Sequence, residues 1–409
     1  MLPLDDLTVF DLSRILSGPY CSMYLADFGA RVIKLEHPDG GDDTRGFGPP
    51  FVNGESTYFM SINRNKESVA IDFKHERGRA LALQLAGRCD VLLENFRPGA
   101  LAKLGLDYAT LREINPRLIY CSISGFGHSG EPDWVRRPGY DLAIQGMGGL
   151  ASLTGPADGA PYKVGTSIAD MIAGLYAVAG ILVALHARQR TGRGQHVDVS
   201  MLDGQIALLT YHAGIHFATG GVPARRGNQH PSITPYETYR ASDGFVNIAV
   251  GNDPQWRALC RAIGAPLAGL GDDARFATNA ARVGRRDELA AILEPVIAAR
   301  TVEAWIALLD GAGIPCGPIL NVAQALAHPQ VQARDMVVPL THPTAGDIRV
   351  TGVPVKLSET PGAVRTPPPR LGEHTRAVLA EMLGLDDAQL DQLMEEGALA
   401  APKPVATAD

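Results

Sequence analysis

The sequence predicts an α/β fold: a large domain on a mostly parallel sheet with helices on both faces, plus a smaller α+β domain. Three observations carry this. Apolar, β-branched runs alternate with helical patterns as far as residue 123. That rhythm has stopped by residues 219–232, which are rich in Gly, Pro and Arg and read as a linker. A chain of 409 residues also exceeds what one simple core organises.

The elements follow in order. Leu7-Thr8-Val9-Phe10-Asp11-Leu12 reads as a strand, 18–28 as a helix and Arg31-Val32-Ile33-Lys34-Leu35 as the next strand. Val69-Ala70-Ile71-Asp72-Phe73 is another. A polar helix over 75–88 leads to Asp90-Val91-Leu92-Leu93-Glu94, and a helix near 99–112 precedes Leu118-Ile119-Tyr120-Cys121-Ser122-Ile123. This order makes the large domain Rossmann-like. Its first turn, Ser13-Arg14-Ile15-Leu16-Ser17-Gly18-Pro19, is not GxGxxG, so a nicotinamide or flavin dinucleotide loses its main support. The apolar run 171–185 is rich in Gly and Ala, which suits a tightly packed central helix, and it is short of the roughly 20 residues a membrane span needs. A turn at 191–195, a strand at 196–200 and a helix over 203–218 come next. Beyond the linker, 236–239 and 245–250 form a hairpin turning at Ser242-Asp243-Gly244, then helices at 254–263, 286–298 and 302–312. β-like stretches at 335–340 and 347–357 and a final helix-like segment close the chain. The expected domains are 1–224, to which 326–409 returns, and 225–325.

Net charge is −7, with 45% hydrophobic and 20% charged residues, so there is no basic footprint for nucleic acid or an anionic membrane. A phosphate-bearing ligand must be met by a few local cations. The five cysteines form no CxxC pair, which leaves zinc and dithiol redox sites without support and fits a reducing compartment. His212 and His216 are spaced i, i+4, yet no third ligand accompanies them, so no metal is expected. The N-terminus shows neither a basic nor an apolar leader region, and the expected location is cytoplasmic. No GxSxG elbow is present.

Asp170 stands at the mouth of the apolar helix. There the helix dipole and free N–H groups favour an ionised carboxylate, which is already a nucleophile. The same position suits a helix N-cap, and both readings stay open. Glu94-Asn95-Phe96-Arg97-Pro98-Gly99 begins where a strand ends, the usual ligand edge of an open sheet. Asn95 and Arg97 offer hydrogen bonds, Phe96 a stacking face, and Gly99 a helix start for a phosphate. Lys103 lies one turn on. Ile71-Asp72-Phe73-Lys74 ends a neighbouring strand and could meet an adenine edge and a phosphate. His37, Arg14 and Leu16 lie on the same edge of the sheet.

Together these stretches resemble the class III CoA-transferases, the family of formyl-CoA transferase. The series runs from Asp11-Leu12-Ser13-Arg14 and Ser17-Gly18-Pro19 through Gly29-Ala30-Arg31-Val32-Ile33-Lys34-Leu35-Glu36, Gly41-Asp42-Asp43-Thr44-Arg45 and Asn63-Arg64-Asn65-Lys66 to the Glu94 motif. It continues with Gly139-Tyr140-Asp141, the Asp170 helix, Thr191-Gly192-Arg193-Gly194-Gln195 and Leu371-Gly372-Glu373-His374-Thr375. The resemblance implies that Asp170 is the catalytic nucleophile and forms an aspartyl anhydride and then an aspartyl-CoA thioester. It also implies an interlocked homodimer, with acyl-CoA and a carboxylic acid as the small-molecule partners and no tightly bound cofactor. The positions that match CoA contacts are Leu16, Ser17, His37, Ile71, Asp72, Phe73, Lys74, Asn95, Phe96, Arg97 and Lys103. His37 and Lys103 stand where formyl-CoA transferase has Arg, and Leu16 where it has Gln, so formyl/oxalate specificity is not expected.

Asp42-Asp43-Thr44-Arg45-Gly46-Phe47, Glu55-Ser56-Thr57-Tyr58 and Gly317-Pro318-Ile319 resemble the members that use succinyl-CoA and glutarate. They imply succinyl-CoA as donor and a dicarboxylate as acceptor. Arg14, Arg45 and Arg225 are candidate cations for the distal carboxylate, with Tyr140 and Asp141 beside the substrate. One alternative is an α-methylacyl-CoA racemase-type epimerase, which pairs its aspartate with the His of a Gly-His-Asp segment. Tyr140 in that place argues against it, because a phenol is a poor base at neutral pH. The other alternative is a CoA-binding protein without turnover.

Overall fold

The computed structural model describes residues 1–400, so 401–409 of the expected returning segment lie outside the described residues. The chain forms β1 (Thr8–Asp11), α1 (Ser17–Asp27), β2 (Arg31–Glu36), β3 (Lys66–Ile71), α2 (Glu76–Arg88), β4 (Val91–Glu94), α3 (Tyr108–Ile114) and β5 (Ile119–Ser124). Next come α4 (Asp141–Met147), α5 (Ile168–Thr191), β6 (His196–Ser200), α6 (Met201–Leu208) and α7 (Thr210–Thr219). A hairpin of β7 (Tyr236–Arg240) and β8 (Phe245–Ala249) leads to α8 (Asp253–Ile263), α9 (Arg286–Ala298), α10 (Val302–Gly311) and β9 (Cys316–Pro318). The chain closes with the hairpin β10 (Val337–His342) and β11 (Gly346–Thr351), then α11 (Thr375–Leu383), α12 (Asp387–Glu395) and β12 (Leu399–Ala400).

Two compact units result. One holds residues 1–150, 163–214 and the chain from 329 onward; the other holds 151–162 and 215–328. The larger is built on a seven-stranded sheet in the order β12-β3-β2-β1-β4-β5-β6. Every pair is parallel except β12 with β3, so an antiparallel edge strand closes a parallel sheet. In register across β1, Phe10 faces Ile33 and Leu92, and Val9 faces Val32 and Val91. Phe10, Ile33 and Leu92 enter one core with Leu81 and Leu85 of α2. Val9, Val32 and Val91 enter the other with Leu25 of α1 and Ala173, Ala177 and Ile181 of α5. Burial on both faces explains why these strands read as continuous apolar runs.

The chain leaves β1 towards β2 on one side and returns to β4 on the other. The loops after β1 and β4 therefore diverge, and a crevice opens at the carboxyl ends of the strands. Beneath it lies a buried ionic network. Lys34, fully buried, reaches Asp42 at 2.8 Å and the Ser13 carbonyl at 2.8 Å. Lys66 donates to the carbonyl of Pro19 and to Asn63, both at 2.9 Å. Glu36 takes both nitrogens of Arg45 at 2.7 Å. Burial works against the Asp42 carboxylate, but Lys34 and the Thr44 hydrogen bonds outweigh it and hold the group down at about 2.

Three elements depart from expectation. The helix near 99–112 is broken: a 3-10 turn at Leu101–Leu104 ends on Gly105, whose φ of 69° needs the left-handed region, before α3 begins. The helix over 203–218 divides into α6 and α7, with Thr210 at φ 38°. The apolar run grows into α5, 24 residues long and apolar enough to cross a membrane by length and composition, so the length argument against a span does not stand. Tight packing holds on one face only. Ala173, Gly174, Ala177, Ile181 and Ala184 are buried, whereas Leu175, Tyr176, Leu182 and Val183 are 37%, 44%, 40% and 69% exposed.

The smaller unit has a three-stranded antiparallel sheet, β9-β8-β7, packed with α8, α9 and α10 around Trp256, Phe276 and Trp305. Buried Arg282 is satisfied by the carbonyls of Thr234 and Phe276 and by Asp253.

Candidate active site

The turn after β1 is held from two sides. Asn95, just past β4, accepts the Arg14 N–H at 2.9 Å and donates to the Arg14 carbonyl at 2.7 Å. Asp42 accepts the Ile15 N–H at 3.2 Å. Between these clamps Ile15 has φ 69°, a strained conformation for a β-branched residue. The turn delivers Ser17 as the first residue of α1. Its hydroxyl accepts from Asn95 at 3.3 Å and lies beside the Asp170 carboxylate.

Asp170 is the third residue of α5 and is not its cap. The cap position falls to Ser167, whose side chain makes no capping bond, while Asp141 accepts the Ala169 N–H at 2.9 Å. Asp141 is itself held by Gln145 at 2.8 Å. One turn on, Gly174 lets α5 approach α1: a Cβ there would lie 2.6 Å from the Ser17 carbonyl oxygen. Asp170 and Ser17 are thereby held together.

The expectation that the helix start keeps Asp170 ionised at neutral pH needs correction. Burial and the neighbouring Asp141 push its carboxyl up to about 7, against the opposing Ser17 hydrogen bond. A buried carboxylate next to a second one pays more than a helix end returns. Tyr58 feels the same pair: burial, then Asp170 and Asp141, raise its phenol to about 12, so it remains a proton donor.

Asp170 lines a cavity of about 420 Å³ with Ser17, Asn95, Arg97, Arg137 and Tyr140. A second cavity of about 440 Å³ has His37, Phe73, Lys74, Phe96 and Leu104 in its wall. Arg14, Asp43, Phe96 and Ala100 border both, so the two adjoin. Phe73 and Phe96 meet edge to face at 6.3 Å, and the Arg14 guanidinium lies 5.0 Å from the Phe96 ring centre. Behind this loop, buried Glu94 accepts the Phe96 N–H at 2.7 Å, and burial raises its carboxyl to about 7.

The remaining sequence candidates lie elsewhere. Leu16 packs with Met23 and Ile62, and Ile71 is fully buried in the core. Asp72 sits 3.6 Å from His37 and accepts the Lys74 N–H at 2.9 Å. Lys103 is exposed on the 3-10 turn, outside both linings. Arg45 is withdrawn as an acceptor-binding cation: Glu36 occupies it, and it lies 3.7 Å from the centre of the Phe59 ring. Asp141 is spent on α5. Arg225 belongs to the smaller unit, where it meets the carbonyls of Ser152 and Gly159. Sequence reasoning missed Ile15, Tyr58 and Arg137. Arg137 sits in the irregular stretch Arg136-Arg137-Pro138-Gly139, which carries no periodic signal. Among the described residues no cluster could hold a metal ion.

Comparison with known proteins shows the family. The family model described as CoA-transferase family III matches residues 4–375. The chain is 41% identical to the succinyl-CoA:glutarate CoA-transferase of Mus musculus, over 98% of this chain and 91% of that one. It is 43% identical to the acetyl-CoA:oxalate CoA-transferase of Acetobacter aceti, over 93% and 95%. A CaiB/BaiF family protein from Brucella suis shares the structure at a TM-score of 0.82 and 44% identity, over 93% of this chain and 99% of that one.

Proposed function

The chain belongs to CoA-transferase family III and is a CoA-transferase, and from that premise we propose that it passes CoA from succinyl-CoA to a dicarboxylate such as glutarate through Asp170. The observation that carries this reading is the Asp170 carboxylate in the wall of a cavity that adjoins a second one, which is walled by Phe73, Phe96, His37 and Lys74 together with Asp39 and Asp43. Phe73, Phe96, His37 and Lys74 suit the nucleotide end of CoA, with Asn95 and Arg97 along its path.

In the proposed sequence the Asp170 carboxylate attacks the thioester carbonyl. The C–S bond breaks, leaving an aspartyl–succinyl anhydride and CoA thiolate. The thiolate attacks the aspartyl carbonyl, releasing succinate and forming aspartyl-CoA thioester. The acceptor carboxylate then attacks this thioester and expels the thiolate, which finally attacks the acceptor's acyl carbon and frees Asp170. Each nucleophile acts as an anion, Asp170 once it has lost its proton above about pH 7, so no general base is needed. Ser17, in the wall of the Asp170 cavity, supplies a donor near the developing negative charge.

An acceptor screen tests the reading. Succinyl-CoA is offered with short mono- and dicarboxylates, acetyl-CoA with oxalate, and product thioesters are weighed by mass spectrometry. The expected result is glutaryl-CoA or a close dicarboxyl-CoA, with an aspartyl-CoA adduct on Asp170. Transfer confined to acetyl-CoA and oxalate would refute the substrate assignment. The epimerase and non-catalytic alternatives gain no support, since the relatives above are named transferases.

A homodimer is part of the same proposal. The exposed apolar face of α5 is supported as an interface by exposed Ile206 on α6 and by exposed Leu142 and Met147 on α4. The expected mass in light scattering is twice the 43.4 kDa of one chain; a monomer at micromolar concentration would overturn this. Five free cysteines support the cytoplasmic location proposed with it.

A further inference from the structure

A dicarboxylate acceptor presents a second carboxylate that must be desolvated beside Asp170, and this needs a cation with free donors. Three arginines line the Asp170 cavity: Arg14, Arg97 and Arg137. Arg14 is already engaged, 3.3 Å from Asp43 and above Phe96. Arg97, likewise without a carboxylate partner among the described residues, directly follows Phe96, which borders both cavities, and is assigned with it to the path of CoA. Arg137 has no carboxylate within ion-pair distance among the described residues, whereas its neighbour Arg136 is paired with Asp133 at 2.8 Å.

Arg137 is also held in place. Its guanidinium lies 4.0 Å from the centre of the Trp134 ring, and its N–H donates to the Trp134 carbonyl at 2.9 Å. Two residues on, Gly139 touches Gly125 at the end of β5 so closely that a Cβ on Gly139 would fall 2.2 Å from the Gly125 Cα. Two further residues bring the chain to Asp141, which caps α5 one residue before Asp170. The segment that carries Arg137 is thus pinned to the nucleophile's own helix.

We infer that Arg137 grips the distal carboxylate of the acid exchanged at Asp170 and so selects dicarboxylates. This rests on the transferase reading above. A planar guanidinium steadied on an aromatic face gives a carboxylate two parallel hydrogen bonds, and a monocarboxylate of equal length leaves those donors unused.

The test compares the wild type with Arg137→Met and Arg137→Lys. It measures kcat/KM for glutarate and for pentanoate with one acyl-CoA donor, and the Kd of free CoA. The glutarate-to-pentanoate ratio is expected to fall about 10- to 100-fold in Arg137→Met, with partial recovery in Arg137→Lys and an unchanged Kd for CoA. A ratio that stays within about twofold overturns the assignment. So does a loss that follows weakened CoA binding equally for both acids. A wild type that uses only monocarboxylates overturns the dicarboxylate reading and this assignment together. A wild type that prefers glutarate beside a variant that keeps the preference overturns the assignment alone.

Discussion

Asp170→Asn abolishes CoA transfer and leaves a protein more stable than the wild type at pH 8. The first effect follows from the proposed chemistry: an amide cannot attack a thioester, and the nearby carboxylates are engaged, Asp141 with Ala169 and Gln145 and Asp43 with Arg14. Loss of a covalent nucleophile costs at least about a thousandfold in kcat. The second effect follows from linkage. The Asp170 carboxyl is raised from 3.8 to about 7 in the folded chain by burial and Asp141. Between those values the unfolded chain has released the proton and the folded chain retains it. The cost of keeping Asp170 therefore grows from about pH 4 to pH 7 and is constant above. Asparagine carries no such cost, which makes the gain about 2 kcal/mol at pH 8, fading towards pH 4, after allowance for the partly solvated side chain. Urea unfolding at the two pH values measures it. A variant that transfers CoA, or one no more stable than the wild type at pH 8, would contradict the assignment. In the wild type, kcat/KM for the acyl-CoA should drop about tenfold per pH unit below about 7, as the nucleophile is protonated.

Lys34→Met is expected to destabilise the larger unit by about 3–5 kcal/mol, since it removes one partner of a fully buried ion pair. Asp42 would keep its Thr44 and Ile15 contacts but lose the charge 2.8 Å away, and Asp11 would lose a second cation. The fall in Tm should be about 10 °C, read by calorimetry. Adding Asp42→Asn should return part of it, because the stranded charge is then gone. A fall of under about 2 °C would show that Asp42 is relaxed into solvent and that the network is not a support of the site.

That network explains why the sequence was so readable here. Asp11, Lys34, Glu36, Asp42, Arg45 and Lys66 come from four short motifs, of which two supply one charge and two supply a pair of charges to the same buried cluster. Such charges cannot vary singly, because a stranded partner is costly. The strands were legible for a related reason: both faces are buried, so they are apolar throughout. The hairpin of β7 and β8 and the three helices after it were legible from turn residues and apolar periodicity.

Other features were decided only by the fold. The break at Gly105 and the division of α6 from α7 depend on packing that local propensity does not see. The exposed half of α5 looks, in sequence, like a core helix, because its exposed and buried faces are both apolar. Arg45 is a candidate cation on paper and Arg137 is not; the first is occupied by Glu36 and the second has no carboxylate beside it among the described residues, and only contacts across the chain distinguish them. By itself the sequence determined the parallel α/β architecture, the aspartate at a helix start and the family of motifs around it. The tertiary structure decided that Asp141 rather than Asp170 caps the helix. It also decided that Asp170 holds its proton to about 7, because desolvation and charge proximity belong to neighbours brought together from distant parts of the chain.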